Sequence, residues 1–184
     1  MKEDENQEHL KSLILLAKEG DKKAFEEVYT TYYTPLYRYI FTRLKNKQET
    51  EDITQATFIK IWNSITSWNS NHTSPLAFFF TVARNTLIDY FRKNSRKEIV
   101  SDEIVFNHSE EHDTPDKESI SIGLHDDLTE AISKLSDEQK EIITLFYTND
   151  LTYKEISAIT GKREDAIRQI HSRAIKKLRN IYKY

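Results

Sequence analysis

The chain has 184 residues, of which 31% are charged and 38% hydrophobic, a length that allows one domain or two small ones. It contains no cysteine, which excludes a disulfide scaffold, a thiolate zinc site and a cysteine nucleophile. With 3 Gly and 3 Pro it cannot build the glycine-rich loops that hold phosphates, and no apolar run approaches the roughly 20 residues of a membrane-spanning helix. The N-terminus is polar and acidic, unlike a signal peptide, so we expect a soluble, cytoplasmic, helix-rich protein.

The formal net charge of −3 conceals three segments of different sign. Residues 1–97 carry 15 basic and 12 acidic side chains, residues 98–127 carry 1 and 10, and residues 128–184 carry 11 and 8. Taken alone, −3 argues mildly against nucleic-acid binding, because such proteins usually carry a basic surplus. The pattern instead indicates two mildly basic blocks that flank one acidic strip.

Helical spacing of apolar residues runs through the first block. It predicts a helix over residues 10–19 and a second helix that begins after Asp21 as its N-cap. Pro35 lies inside the second apolar stripe and should kink or divide that helix. After a polar turn at residues 45–48, a third helix is predicted over residues 49–65.

The pair Ser74-Pro75 predicts the start of a fourth helix, with serine as N-cap and proline at the first helical position. This helix could extend to about residue 96 and ends in basic side chains. Its aromatic residues, with Trp68 in the preceding loop, suit stacking on the bases of single-stranded DNA. The alternative is that most of these aromatics are core residues.

Helical periodicity fades between residues 98 and 123, a stretch that is acidic and broken by Pro115. We interpret it as a linker. His108 and His112 stand four residues apart there, but the order HSEEH is not the HExxH of a zinc site. We therefore expect no metal site, no catalytic site and no enzyme activity.

The last block contains two capping boxes, Ser136 with Gln139 and Thr152 with Glu155, each of which opens a helix. The second of these helices is short and ends at Gly161, and a longer helix follows. A short helix, a glycine-containing turn and a second helix lined with polar and basic groups are the signature of a helix–turn–helix.

The final helix, predicted over residues 163–182, carries a polar face opposite its apolar stripe. Arginine and glutamine make bidentate contacts to purine edges, and a recognition helix reads bases with its N-terminal residues. The alternative is an ordinary solvated helix face. The candidate DNA-binding residues on this face are Glu164, Asp165, Arg168, Gln169, Ser172 and Arg173.

Together these motifs closely resemble a bacterial sigma factor of the extracytoplasmic-function (ECF) group. DITQATFIKIWNSI resembles the family's polymerase-binding helix, and PLAFFFTVARNTLIDYFRKNSRK resembles its −10-reading and melting helix. LSDEQKEIITLFYTNDLTYKEISAITG with AIRQIHSRAIKKLR resembles its −35-reading helix–turn–helix. Two departures are Phe78 or Phe79 where family members usually have Trp, and an IRQI tract closer to the primary sigma factors.

The resemblance implies an all-α fold of two small helical domains. The N-terminal helical bundle would occupy residues 1–97 and bind core polymerase and the −10 element. The C-terminal helix–turn–helix bundle would occupy residues 126–184 and read the −35 element. An acidic flexible linker, residues 98–125, would join them.

The resemblance also assigns site residues. Five residues match the helix that docks on the clamp helices of the polymerase largest subunit: Ile53, Gln55, Phe58, Ile59 and Trp62. Eight residues match −10 recognition, with Asn85 the best candidate for a base contact and the last three suited to phosphates: Trp68, Asn69, Arg84, Asn85, Asp89, Arg92, Lys93 and Arg96. Loop residues 67–73 match a loop that captures a flipped base in relatives.

The implied function is a promoter-specificity subunit that directs core RNA polymerase to −35 and −10 elements. Its partners would be core polymerase, promoter DNA and an anti-sigma factor, with no cofactor, metal or small-molecule substrate. Two other functions stay open at this point. One is a stand-alone helix–turn–helix repressor or activator, and the other is a helical scaffold that binds only proteins.

In relatives the linker threads through polymerase channels built for RNA, so an acidic segment could imitate RNA there. The alternative is a tether kept soluble and extended by its charge. Replacing Glu110, Glu111, Asp113 and Asp116 by Gln and Asn is expected to weaken holoenzyme formation or alter abortive synthesis. Unchanged behaviour of the variant in both assays would remove the RNA-imitation hypothesis.

Overall fold

The computed structural model describes residues 2–69, 74–100 and 131–181, with side chains over 8–69, 74–94 and 131–181. Arg96 and the four acidic linker residues considered above therefore lie outside the described side chains. Every regular element in the described ranges is helical, which confirms the all-α prediction. The elements are α1 (Lys2–Lys18), α2 (Lys22–Leu44), α3 (Lys47–Ser64), a 3₁₀ turn (Ile65–Ser67), α4 (Pro75–Val100), α5 (Asp137–Ile143) with a following π turn (Thr144–Thr148), α6 (Tyr153–Thr160) and α7 (Glu164–Ile181).

The N-terminal helices begin where capping side chains satisfy their first backbone N–H groups. Asp21 accepts hydrogen bonds from the N–H groups of Lys23 and Ala24 and so starts α2. Ser74 Oγ accepts from the N–H of Ala77 at 3.2 Å. The starts predicted for the second and fourth helices are confirmed.

Helix α2 runs without a break through Pro35, so the predicted division of the helix does not occur. Packing on both sides of the proline explains the continuity. Val28 precedes it and Leu36 and Tyr39 follow it, and all three side chains are buried in the bundle core. Their burial offsets the backbone hydrogen bond that proline cannot make.

Helix α3 buries a row of threonines beside the large apolar side chains of Phe58 and Ile61. Thr50, Thr54 and Thr57 are fully buried, and each hydroxyl donates to a backbone carbonyl one turn earlier in the same chain at 2.6–2.7 Å. The hydroxyls are therefore satisfied without an outside partner. Ile59, on another side of the helix, is 62% exposed.

The C-terminal helices form the predicted helix–turn–helix. Both capping boxes are present, at the starts of α5 and α6. Helix α6 ends at Gly161, whose φ of 72° is the left-handed conformation that glycine adopts at low cost. Helix α7 then packs through the buried side chains of Ile167 and Ala174.

The helix–turn–helix packs directly on the N-terminal bundle. Helix α4 contacts α6, and α2 contacts the π turn. Buried apolar residues of the C-terminal part, among them Ile142, Leu145 and Ile156, form one continuous cluster with the core of the bundle. The sequence suggested two domains on a tether and gave no sign of this contact.

Candidate nucleic-acid and polymerase interfaces

The six residues predicted to read the −35 element all lie on the exposed side of α7. Ile167 and Ala174 hold the opposite side of the helix in the core. This division leaves the polar face exposed to solvent. Near the start of the helix, Arg168 Nη2 lies 3.7 Å from Glu164 Oε2, a solvent-exposed pair one helical turn apart.

Arg168 is also held by an aromatic ring that the sequence analysis did not single out. Its guanidinium carbon lies 4.4 Å from the ring centroid of Tyr153, the first residue of α6. Such a cation–π contact orients the planar guanidinium without using up its N–H donors. The signal that could have found Tyr153 is its position as an aromatic residue directly after the N-cap Thr152.

Three aromatic rings surround His171 on α7. Its Nδ1 lies 3.0 Å from the hydroxyl of Tyr153 and its Nε2 lies 3.2 Å from the hydroxyl of Tyr147. The ring of Phe146 packs on it at a centroid distance of 4.7 Å. Desolvation by this packing lowers the pKa of His171 below its ordinary value of 6.5.

This lowered pKa predicts a pH-dependent stability of the helix–turn–helix. The unfolded chain binds the proton more readily, so the stabilisation is complete above about pH 6.5 and declines as the pH falls below it. We expect the thermal midpoint of the wild type to drop more than that of His171→Gln between about pH 7.5 and about pH 5. Superimposable pH curves for the two proteins would show that His171 does not contribute.

The residues predicted to contact the −10 element fall into distinct environments. The Trp68 side chain is 4% exposed, so its ring is a packing group in this conformation and Asn69 beside it is exposed. The backbone carbonyl of Trp68 accepts a hydrogen bond from Lys18 Nζ at 2.9 Å. Its buried indole N–H has no acceptor among the residues that the structure describes.

A cleft of about 380 Å³ lies against this part of the chain. Its volume is within the range of roughly 300–1,000 Å³ typical of pockets for small ligands. Both polar and apolar groups are present in its walls. The lining residues are Leu15, Lys18, Thr66, Ser67, Trp68 and Asn69.

On α4, four of the predicted residues are exposed: Asn85, Asp89, Arg92 and Lys93. The Asp89 carboxylate lies 3.2 Å from Lys60 Nζ of α3 and 2.9 Å from Arg92 Nη2. Arg84 differs from them, because its side chain is only 27% exposed and pairs with Glu141 of α5.

The residues predicted to bind core polymerase do not share one surface. Ile59 is 62% exposed and Gln55 is exposed, whereas Ile53 and Trp62 are half-buried. Phe58 is 3% exposed and packs between aromatic rings of α2. Ile59 and Gln55 are thus available to a partner, and Phe58 supports the helix from inside.

None of the described helices is long and apolar enough to cross a membrane. Over the same residues no group of three His, Cys, Asp or Glu side chains is placed to hold a metal ion.

Family models match both halves of this architecture. Sigma-70 region 2 matches residues 28–97, and Sigma-70, region 4 matches residues 131–180. The helical bundle and the helix–turn–helix together define a sigma factor, the class of subunit that gives RNA polymerase its promoter specificity.

The chain belongs to the ECF group of RNA polymerase sigma factors. It is 31% identical over 157 residues to the ECF RNA polymerase sigma factor SigM of Bacillus subtilis (strain 168), an alignment that covers 85% of this chain and 94% of that protein. It is therefore a promoter-recognising subunit that directs transcription initiation. Sigma factors in general are not enzymes.

Solved structures of sigma factors share the fold. The sigma factor RpoE of Bartonella quintana, crystallised with the anti-sigma factor NepR, is 25% identical with a TM-score of 0.67, and the match covers 86% of this chain and 96% of that chain. CnrH, in complex with the cytosolic domain of CnrY, gives a TM-score of 0.68 over 94% of this chain and 96% of that chain. At 18% identity the second match shows the fold alone.

Proposed function

We propose that this sigma factor divides promoter recognition among three of its surfaces. Helix α7 reads the −35 element, α4 with the preceding loop reads and melts the −10 element, and α3 binds core polymerase. The observation that carries the proposal is the exposed polar face of α7, on which all six predicted residues are available while the opposite side is buried. The protein has no catalytic activity of its own.

The −35 assignment rests on the position of Arg168 and Gln169. Both are exposed and lie in the first two turns of α7, where a recognition helix meets base edges. Arg168 is oriented by Tyr153 on one side and Glu164 on the other. A guanidinium held in this way is suited to a bidentate contact with guanine.

The −10 assignment rests on α4 and the cleft beside Trp68. Exposed Asn85 supplies an amide for a base edge, and exposed Arg92 and Lys93 supply charge for phosphates. The cleft of about 380 Å³ would take the flipped base, with Trp68 forming part of its wall instead of stacking openly.

The polymerase-binding assignment rests on Ile59. Ile59 is the most exposed of the large apolar residues that the structure describes, at 62%, and it lies on the helix that resembles the family's polymerase-binding helix, so a partner could bury it there. Phe58, Ile61 and the buried threonines fill the core side of α3, so a contact at Ile59 leaves the bundle core closed.

Two further parts of the proposal concern the partner that regulates the protein and the compartment in which it acts. RpoE of Bartonella quintana forms a complex with the anti-sigma factor NepR, and we propose that an anti-sigma factor also binds this protein and restrains it. A subunit that joins core polymerase on chromosomal promoters would act in the cytoplasm.

One in vitro transcription assay separates this function from the two alternatives. The sigma function predicts weak duplex binding by the protein alone and promoter-specific transcripts when core polymerase is added. A stand-alone repressor or activator would bind its duplex tightly and specifically without polymerase. A protein-binding scaffold would show neither behaviour, and either of these results would overturn the proposal.

A further inference from the structure

A buried carboxylate joins the two halves of the chain. Glu141, on α5 of the helix–turn–helix, is 9% exposed. Its Oε1 lies 3.3 Å from Arg43 Nη2 and 3.2 Å from Arg84 Nε, and it accepts a hydrogen bond of 3.0 Å from the Tyr39 hydroxyl. All three donors belong to α2 and α4 of the N-terminal bundle.

The three donors around Glu141 Oε1 are of the kind that bind anions in general. Two guanidinium groups that converge on one oxygen atom repel each other, and they lose their common partner when that oxygen leaves. Arginine binds carboxylates and phosphates with the same planar set of N–H donors. A phosphodiester carries the same single negative charge as the glutamate, so it can replace Glu141 without changing the charge of the site.

A second contact holds the same two halves together. Ser74 Oγ donates a hydrogen bond of 2.6 Å to Oε1 of Glu155, which is 8% exposed. The other oxygen of Glu155 closes the capping box of α6. The start of α4 is therefore tied to the helix–turn–helix by Glu155, and its middle is tied by Glu141.

The position of the anion site favours a phosphate of single-stranded DNA over one of duplex DNA. Arg84 directly precedes the exposed Asn85 on α4, the helix that the proposed function places along the −10 strand. Tyr39 and Arg43 of α2 and Arg84 of α4 bring the site to the junction of two helices, and α5 covers it in the closed chain. A flexible single strand can place one phosphate at a junction between two helices, whereas duplex phosphates are held at a fixed spacing.

We propose that Tyr39, Arg43 and Arg84 form a binding site for a backbone phosphate of single-stranded promoter DNA, and that Glu141 occupies this site as an internal competitor. The proposal rests on the proposed function, because it takes α4 as the helix that follows the −10 strand. In the closed chain described above, the site is filled and the helix–turn–helix covers it. Release of Glu141 exposes the site and separates the two DNA-reading surfaces in one step.

The test measures the affinity of the full-length chain for a dye-labelled single-stranded oligonucleotide of mixed sequence. Glu141→Gln keeps the shape of the side chain and removes the competing charge. The affinity of this variant for the oligonucleotide should rise at least about fivefold, because more molecules have the phosphate site open. Glu141→Gln combined with Arg43→Gln should lose that gain. Glu141→Asp, which keeps the charge on a shorter side chain, should shift affinity in the same direction by less.

Glu138→Gln is the matched control, because Glu138 lies on the same helix, is exposed and pairs with Lys162 at 2.6 Å. It changes the net charge equally and should leave affinity at the wild-type value. An equal gain in Glu138→Gln, or a gain that persists without Arg43, would overturn the proposal by showing that only overall charge matters.

Opening can be followed independently, because the chain contains no cysteine. Spin labels on cysteines introduced at the exposed positions Asp52 of α3 and Lys154 of α6 report the distance between the two halves. We expect longer distances in Glu141→Gln and, in the wild type, on addition of the oligonucleotide. Unchanged distances and affinity, with promoter-specific transcription intact, would overturn this site alone. Absence of promoter-specific transcription by the wild type would instead overturn the proposed function.

Discussion

Replacing Ile59 by Asp is expected to weaken holoenzyme formation by about 30-fold to 1,000-fold in affinity. The side chain is 62% exposed, so the substitution leaves the bundle core untouched, but it places a charge where a partner would bury an apolar group. Loss of a central interface residue typically costs about 2–4 kcal/mol, or about 30-fold to 1,000-fold in affinity. Binding of labelled sigma factor to core polymerase, measured by fluorescence anisotropy, gives this value directly.

Leu16→Asp provides the matched control for this prediction. Leu16 is an apolar residue of α1 that is 45% exposed and lies outside the predicted polymerase-binding set. The Leu16→Asp substitution should leave the affinity for core polymerase unchanged. If Ile59→Asp bound core polymerase as tightly as the wild type, α3 would not be the polymerase-binding surface.

Replacing Arg168 or Gln169 by Ala is expected to relax specificity at one base pair of the −35 element. A bidentate contact between a side chain and a base contributes about 1–3 kcal/mol of discrimination, which is about fivefold to 150-fold in relative affinity. Both side chains are exposed, so the loss of the Arg168 contacts with Tyr153 and Glu164 should lower the stability of the helix–turn–helix by no more than about 1 kcal/mol. Footprinting of the holoenzyme on promoters with single −35 substitutions measures the effect.

Lys176→Ala is the comparison for this second prediction, since Lys176 is also exposed but lies farther along α7. A phosphate contact carries no sequence information, so its loss should weaken binding evenly across all promoters and reduce the salt dependence. Retention of full −35 discrimination by both Arg168→Ala and Gln169→Ala would contradict the assignment of α7 as the −35 reader.

Local patterns predicted the helix–turn–helix closely. Capping boxes and a left-handed glycine act over three or four residues, so Ser136, Thr152 and Gly161 could be assigned from the sequence alone. The start of α1 was less accurate. The apolar stripe begins at Leu10 and the helix begins at Lys2, because polar residues with good helix propensity extend it without apolar spacing.

The orientation of α3 was harder to predict. Thr54 counts as polar in any hydrophobic pattern, yet it is buried. Its burial costs little because its hydroxyl donates a hydrogen bond to a backbone carbonyl of its own helix. Ile59 and Phe58 count equally as apolar, yet one is exposed and the other is buried. Periodicity marks an apolar residue without showing whether its own fold or a partner will cover it.

Contacts between distant parts of the sequence could not be predicted at all. Glu141 meets Arg43 and Arg84 across intervals of 98 and 57 residues, and no local pattern relates these positions. Similarly, Trp68 seemed available for base stacking because it stands in a polar loop, whereas packing places its ring in the core. The candidate residues on α7 were predicted better because one amphipathic helix contains them all.

The most direct test of the central claim is a permanganate and nuclease footprint of one promoter, recorded with the protein alone and with core polymerase added. We predict no footprint from the protein alone at moderate concentration. With core polymerase, we predict two protected segments at −35 and −10 and reactive thymines within the −10 segment. A single protected duplex site formed by the protein alone, with no reactive thymines when polymerase is added, would contradict the assignment of this chain as a promoter-melting specificity subunit.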